Sequence, residues 1–185
     1  MRSSANIRVV ILIAVLTAAM VGAHAQAVSS GAQAISLNAA LTESISLTLS
    51  AGAVNFNLTA GSASNPGSTS ISATTSWVLR PSRGRLNVYA FFSSASSALS
   101  DGSGNNIPSS SFQVSENGGA FLALTNAVPF GGANAGLQLA TVPILGNNKQ
   151  GSRTDTMNFN INLSTTPSLP AGVYTGTLTI QVQAI

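Results

Sequence analysis

The chain has no cysteine, a single lysine and a single histidine, and that histidine, His24, lies in a stretch that reads as a removable leader. Each absence excludes a class of chemistry. Without cysteine there is no disulfide staple, no thiolate and no lipid-anchoring cysteine, so stability rests on burial and sheet hydrogen bonding. Without histidine beyond residue 24 there is no Ser-His-Asp triad, and a transition-metal site would need to be assembled from Glu43, Asp101, Glu116 and Asp155 alone. A Ser-Lys dyad would fall to Lys149, which sits in the turn sequence Gly146-Asn-Asn-Lys-Gln-Gly151, where lysine keeps its ordinary basicity. The four carboxylates are too scattered to suggest a glycosidase pair. No catalytic residue, metal ligand or cofactor is expected, and the chain reads as a non-enzyme.

Charge is equally scarce. Of seven basic residues, Arg2 and Arg8 belong to the leader, which leaves five against four acids, a net +1. So weak a field cannot hold a polyanion, and nucleic acid is not an expected partner.

What is present begins with the leader itself. Arg2 and Arg8 form a positive start, Val9 to Val21 an apolar run, and Ala23-His24-Ala25 a small-x-small cleavage signal, so residues 1–25 read as a secretory signal peptide cut after Ala25. The run falls short of the ~20 residues a membrane span needs, so no span is expected after its removal. Export to the periplasm, cell surface or medium follows.

Beyond residue 25 apolar residues recur at period two, not at helical spacing. The first run places Ile35, Leu37, Ala39, Leu41, Ile45, Leu47 and Leu49 on odd positions, interrupted by Glu43. At ~3.3 Å per residue it would extend ~50 Å, too long for one strand of a small domain, so it divides near Glu43. Residues 26–43 are an arm or a first strand, and 44–185 the domain. Further strands are expected over Val54 to Leu58, Ile71 to Leu79, Leu86 to Phe92, around Phe112 and Val114, over Leu137 to Leu145, over Met157 to Leu163, and from Tyr174 to the end. Pro143 demotes its strand to an edge or bulge. Arg80-Pro-Ser-Arg-Gly-Arg85 reads as a hairpin connection between two of these strands, and Ser93 to Ser111 as loop. Roughly eight to ten short strands imply an all-β, immunoglobulin-like antiparallel sandwich.

Few residues single themselves out as sites. Arg80, Arg83 and Arg85 form the one charge cluster and could contact an anion, though such a cluster commonly guards a turn against edge pairing. Asp101-Gly-Ser-Gly-Asn105 resembles the start of a calcium loop but lacks its sharp-turn glycine and closing glutamate, and reads as an Asx-rich turn. Trp77 alternates with Ile71, Ala73 and Leu79 and belongs to the core. The feature with a mechanism in it is the arm, since an alternating segment ahead of a sandwich can add a strand to a neighbour's sheet. Ile35, Leu37, Ala39 and Leu41 would be the plugs.

The arm, the Val54-Asn-Phe-Asn-Leu58 strand and the ending Leu169-Pro-Ala-Gly-Val-Tyr174-Thr-Gly-Thr-Leu-Thr-Ile-Gln-Val182 resemble the spore-coat-U and archaic chaperone-usher pilin type of secreted bacterial subunit. That ending is similar to the Pro-Ala-Gly-x-Tyr turn and last strand of such subunits, and its own alternation with Thr177, Thr179 and Gln181 makes Tyr174, Leu178, Ile180 and Val182 the expected core of the C-terminal strand. The resemblance implies a structural subunit of a surface fibre, pilus or envelope layer, with copies of itself, related subunits and a periplasmic chaperone as partners. The alternative is a monomeric secreted or periplasmic module for glycan binding or adhesion.

Overall fold

The computed structural model describes residues 30–185. The signal-peptide residues Ala23 and Ala25 lie outside them. The chain divides into two units, one ending at Ala40 and one running from Leu41 to Ile185. In the first, residues 30–40 carry no strand and are exposed throughout, Ile35 at 85% and Leu37 at 89%. Among the described residues, all regular structure belongs to the second.

That unit contains ten strands and one short 3-10 turn: β1 Ser44–Leu49, β2 Ile71–Val78, β3 Arg85–Phe91, β4 Leu99–Ser100, β5 Asn106–Ile107, β6 Phe112–Glu116, β7 Leu122–Ala123, β8 Gly136–Pro143, β9 Gln150–Ile161 and β10 Thr179–Ala184. They form an antiparallel sandwich. One sheet has the order β1-β2-β9-β6-β7, the other β10-β3-β8, and β4 and β5 make a separate ribbon.

Alternation explains the layers. On β2 the odd residues Ile71, Ala73, Thr75 and Trp77 are buried while Ser72, Thr74, Ser76 and Val78 are half-exposed. On β9 Met157, Phe159 and Ile161 complete the same inner face, and Ile71 faces Met157 in register. Leu86, Val88 and Ala90 of β3 supply the opposing layer. Strand β3 is buried on both faces, because Phe130, in the stretch between β7 and β8, stacks on Tyr89 and Phe91 at centroid distances of 5.9 and 5.8 Å. Strand β8 ends on Pro143 at a sheet edge, where a missing N–H costs no ladder bond.

Several expectations change. Residues 93–111, expected as loop, contain β4, β5 and the 3-10 turn Ser109–Ser111, and the strand expected from Tyr174 begins only at Thr179. Residues 80–85 do not close a hairpin: β2 and β3 lie in different sheets, and the turn carries the chain from one layer to the other. The reason is burial, since Trp77 and Leu79 pack with Leu86 and Val88 in one core cluster, which neighbours in one sheet could not do face to face. Residues 54–58, expected as a strand, form among the described residues only a single bridge, Phe56 to Gly67. Sequence periodicity sets the segment's faces, but a ladder also needs a partner strand, and one of its edges has none.

Candidate functional site

That unpaired edge borders an apolar cleft of about 610 Å³. Its floor is the sandwich core seen end-on: Ile71 of β2, Phe92 after β3, Phe112 of β6, and Met157, Phe159 and Ile161 of β9. Phe112 sits at the centre, edge-on to Phe92 at 5.1 Å and to Phe56 at 5.8 Å, and tilted on Phe159 at 5.9 Å. Such contacts fix the floor's shape rather than leaving it to collapse. Among the described residues, none that lines the cleft carries a charge.

The two walls are extended chain with open backbone edges. One is 49–58, which continues from β1. Its Asn55 exchanges hydrogen bonds with Ser68, donating its N–H to Oγ at 3.1 Å and accepting from the Ser68 N–H at 2.8 Å. The other is 172–180, which leads into β10. Among the described residues, its backbone bonds ahead of β10 are those between Thr175 and Ser100, N–H to C=O in both directions at 2.9 Å. Val54, Phe56, Leu58, Tyr174, Leu178 and Ile180 lie half-buried along the walls. Of the four residues expected as a C-terminal strand core, Ile180 lies on β10 while Tyr174 and Leu178 precede it, and all three pack half-buried against the core where they line the cleft. The fourth, Val182, lies further along β10 and packs with the Trp77 cluster.

Close approach demands glycine at two places in these walls. A Cβ on Gly67 would come within 2.6 Å of Val54 Cγ1 and 3.3 Å of Phe56, lifting the first wall off the sheet. A Cβ on Gly176 would run into the Ala98 carbonyl, which the second wall must pass. A buried pair of asparagines holds the stretch behind the first wall. Asn65 is 1% exposed; it donates Nδ2–H to the Ile161 carbonyl at 2.8 Å, accepts the Thr59 N–H at 2.7 Å, and gives its own N–H to Asn160 Oδ1 at 2.8 Å. No local pattern signals this pair, because Asn65 sits in a Ser- and Gly-rich stretch and Asn160 alternates like a solvent-facing residue. The start of the second wall is pinned by Tyr174, whose hydroxyl donates to the Pro170 carbonyl at 2.8 Å. Burial, with Asp101 nearby, pushes that phenol up.

Neither comparison with protein-family models nor comparison with curated proteins finds a match for this chain. The site is therefore read from its geometry.

The remaining candidates fall elsewhere. Arg80 and Arg83 turn to Glu43: Arg83 Nε and Nη2 reach its two oxygens at 2.8 and 3.1 Å, and Arg80 Nε lies at 3.2 Å. The Arg83 hydrogen bonds, helped by Arg80, lower Glu43 from its ordinary 4.5 to about 2. Arg85 opens β3 without an ion pair among the described residues, so the three arginines do not converge on one anion site. Asp101 spends its carboxylate inside its own turn, accepting from the N–H groups of Ser103 and Asn105 and from Asn105 Nδ2, and the Asn105 side chain leads in lowering its pKa. Lys149 donates to the carbonyls of Pro81 and Arg83 at 2.8 and 2.7 Å, tying two turns together. Trp77 is buried and donates to the Asn148 carbonyl at 2.9 Å. Arg153 joins Glu116 and Asp155 beside Thr75; burial and Asp155 push Glu116 up, while Asp155, against its burial, is held low by Arg153 and Asn117. No helix among the described residues is long and apolar enough to cross a membrane.

Proposed function

We propose that this chain is a non-enzymatic structural subunit of a bacterial surface fibre, pilus or envelope layer, which assembles by donating residues 34–42 as a strand to the cleft of another copy. On this reading residues 1–25 export the chain, and the domain is an immunoglobulin-like sandwich lacking one edge strand, of the spore-coat-U and archaic pilin type. One observation carries it: an uncharged apolar cleft lies open between two extended walls, and the same chain holds an exposed segment whose pattern fits it. The walls, 49–58 and 172–180, would extend ~33 and ~30 Å at ~3.3 Å per residue, and nine residues of arm extend ~30 Å. An inserted strand would pair its backbone with the open edges while Ile35, Leu37, Ala39 and Leu41 face the floor. A periplasmic chaperone strand would occupy the same cleft before assembly.

The alternative, a glycan-binding module, has less behind it. The one tryptophan is buried at 6% exposure and cannot stack on a sugar, and the cleft floor is made of apolar side chains, its polar groups lying along the walls at Asn55, Thr175 and Thr177.

The test is the mass distribution, by size-exclusion chromatography with light scattering, of residues 26–185 against a chain beginning at Glu43. Ladders or fibres from the longer chain and none from the shorter are expected, and Leu37→Asp with Leu41→Asp in the longer chain should abolish them. Monomers from both chains at high concentration would refute strand exchange.

A further inference from the structure

The arm and β1 share one alternation. Ile35, Leu37, Ala39, Leu41, Ile45, Leu47 and Leu49 all occupy odd positions, and Glu43 is the one charged residue among those odd places. A strand with period two can slide by two residues without turning any side chain to the wrong face. Packing does little to prevent this at β1, an edge strand whose Ile45 and Leu49 remain 37% and 45% exposed. The 50–53 stretch beyond it is irregular and could absorb the displaced residues. What distinguishes one register from the next is Glu43. In the observed register, Ser44 opposite Val78, the carboxylate takes both Arg83 nitrogens and Arg80 Nε. A slip of two toward Leu49 carries it ~6.6 Å along the strand, out of that grip and into the place of Ile45.

We propose that Glu43, held by Arg83 and Arg80, is a register pin that marks where the donor segment ends and the domain begins. Without the pin the population in which β1 has slid by two rises about tenfold; in it Leu41 stands where Glu43 stood and the free arm is shorter. Only that consequence for assembly rests on residues 34–42 being a donor; the pin itself is a property of β1.

A chain without cysteine allows introduced pairs to report register directly. Ser46 and Ser76 are partners in the observed register, at the ~5.5 Å typical of a hydrogen-bonded pair and within disulfide range. Ser44 meets Ser76 only after a slip of two. Full-length chains carrying Ser46→Cys with Ser76→Cys, or Ser44→Cys with Ser76→Cys, would be oxidised with copper-phenanthroline and the intramolecular bridge followed by mass and thiol count. With Glu43 present, only the first pair should close readily. In Glu43→Leu the second pair should close about tenfold faster, as expected if the slipped population rises from ~1% to ~10%. The double change Arg80→Gln and Arg83→Gln, which leaves the carboxylate in place, should do the same and covers the case in which Glu43→Leu fails to fold. Closure of the second pair no faster in either variant would overturn the pin, as would loss of the first pair without gain of the second. Because the bridge forms within one chain, the result does not depend on whether polymers form, so failure of the pin and failure of strand exchange are separable.

Discussion

If residues 34–42 enter the cleft as a strand, substitutions in them must act by parity. Leu37 and Leu41 are 89% and 85% exposed in the free chain, so insertion would transfer nearly all of each side chain from water to the floor. Burial of a leucine contributes ~1.5–3 kcal/mol, and truncation to alanine, which keeps one methyl, should remove about 2 kcal/mol. That corresponds to about 30-fold in affinity, since 1.4 kcal/mol is tenfold. The assay is fluorescence anisotropy of a labelled peptide of residues 33–43 titrated with the chain that begins at Glu43. Leu37→Ala and Leu41→Ala peptides should each weaken binding by about 30-fold, and Leu37→Asp should abolish it, because a carboxylate would be buried without a partner. Ser36→Asp and Asn38→Asp, on the face turned to water, should change affinity by no more than about threefold, the range of ordinary surface substitutions. Equal sensitivity at odd and even positions would refute insertion as a strand, even if the peptide bound, since only the two-residue period ties side chains to faces.

Three further outcomes follow from individual contacts. Thr75 is 1% exposed and its hydroxyl has no hydrogen-bond partner among the described residues, so Thr75→Val should raise stability by ~1 kcal/mol, or Tm by ~2–4 °C; a fall in Tm would contradict it. Gly67→Ala sets a Cβ against Val54 and Phe56 and should displace the first wall, lowering Tm and weakening the peptide above; an unchanged affinity would show that the wall does not shape the site. Glu43 prefers its ionised form in the folded chain, with a pKa near 2 against an ordinary 4.5. Its contribution is therefore fully present above pH ~4.5 and lost as pH falls toward 2. The urea midpoints of the native chain and of Glu43→Gln should differ near neutral pH and converge across that window, and a gap that persists to pH 2 would exclude the ion pair as its source.

Faces were legible in the sequence because period two acts over neighbouring residues: Ile71, Ala73 and Trp77 turn inward as their alternation demands, and β9 buries Met157, Phe159 and Ile161. Partners were not legible. The same alternation in β2 and β3 would serve a hairpin as well as two facing layers, and what decides is the joint burial of Trp77 with Leu86 and Val88. Nor could periodicity find Asn65, whose bonds to Asn160 and Ile161 span 95 and 96 residues. Glu43 was visible as an interruption, yet its meaning depends on arginines 37 and 40 positions away.

The places where a strand-like pattern fails to become a ladder are not scattered. Residues 35–41 alternate cleanly and lie exposed; 54–58 alternate and keep one bridge; 174–178 keep one bridge, through Thr175. Each is locally competent for a strand, and each lacks a partner on at least one edge. In a sequence whose local and global preferences agree, such failures should be rare, and where they occur they mark function or strain. The second and third segments are the two walls of one cleft, and the first has the period, apolar content and length to lie between them. A single inserted strand would supply the missing neighbour to all three at once, and would cover the Phe112 floor that the isolated domain leaves open.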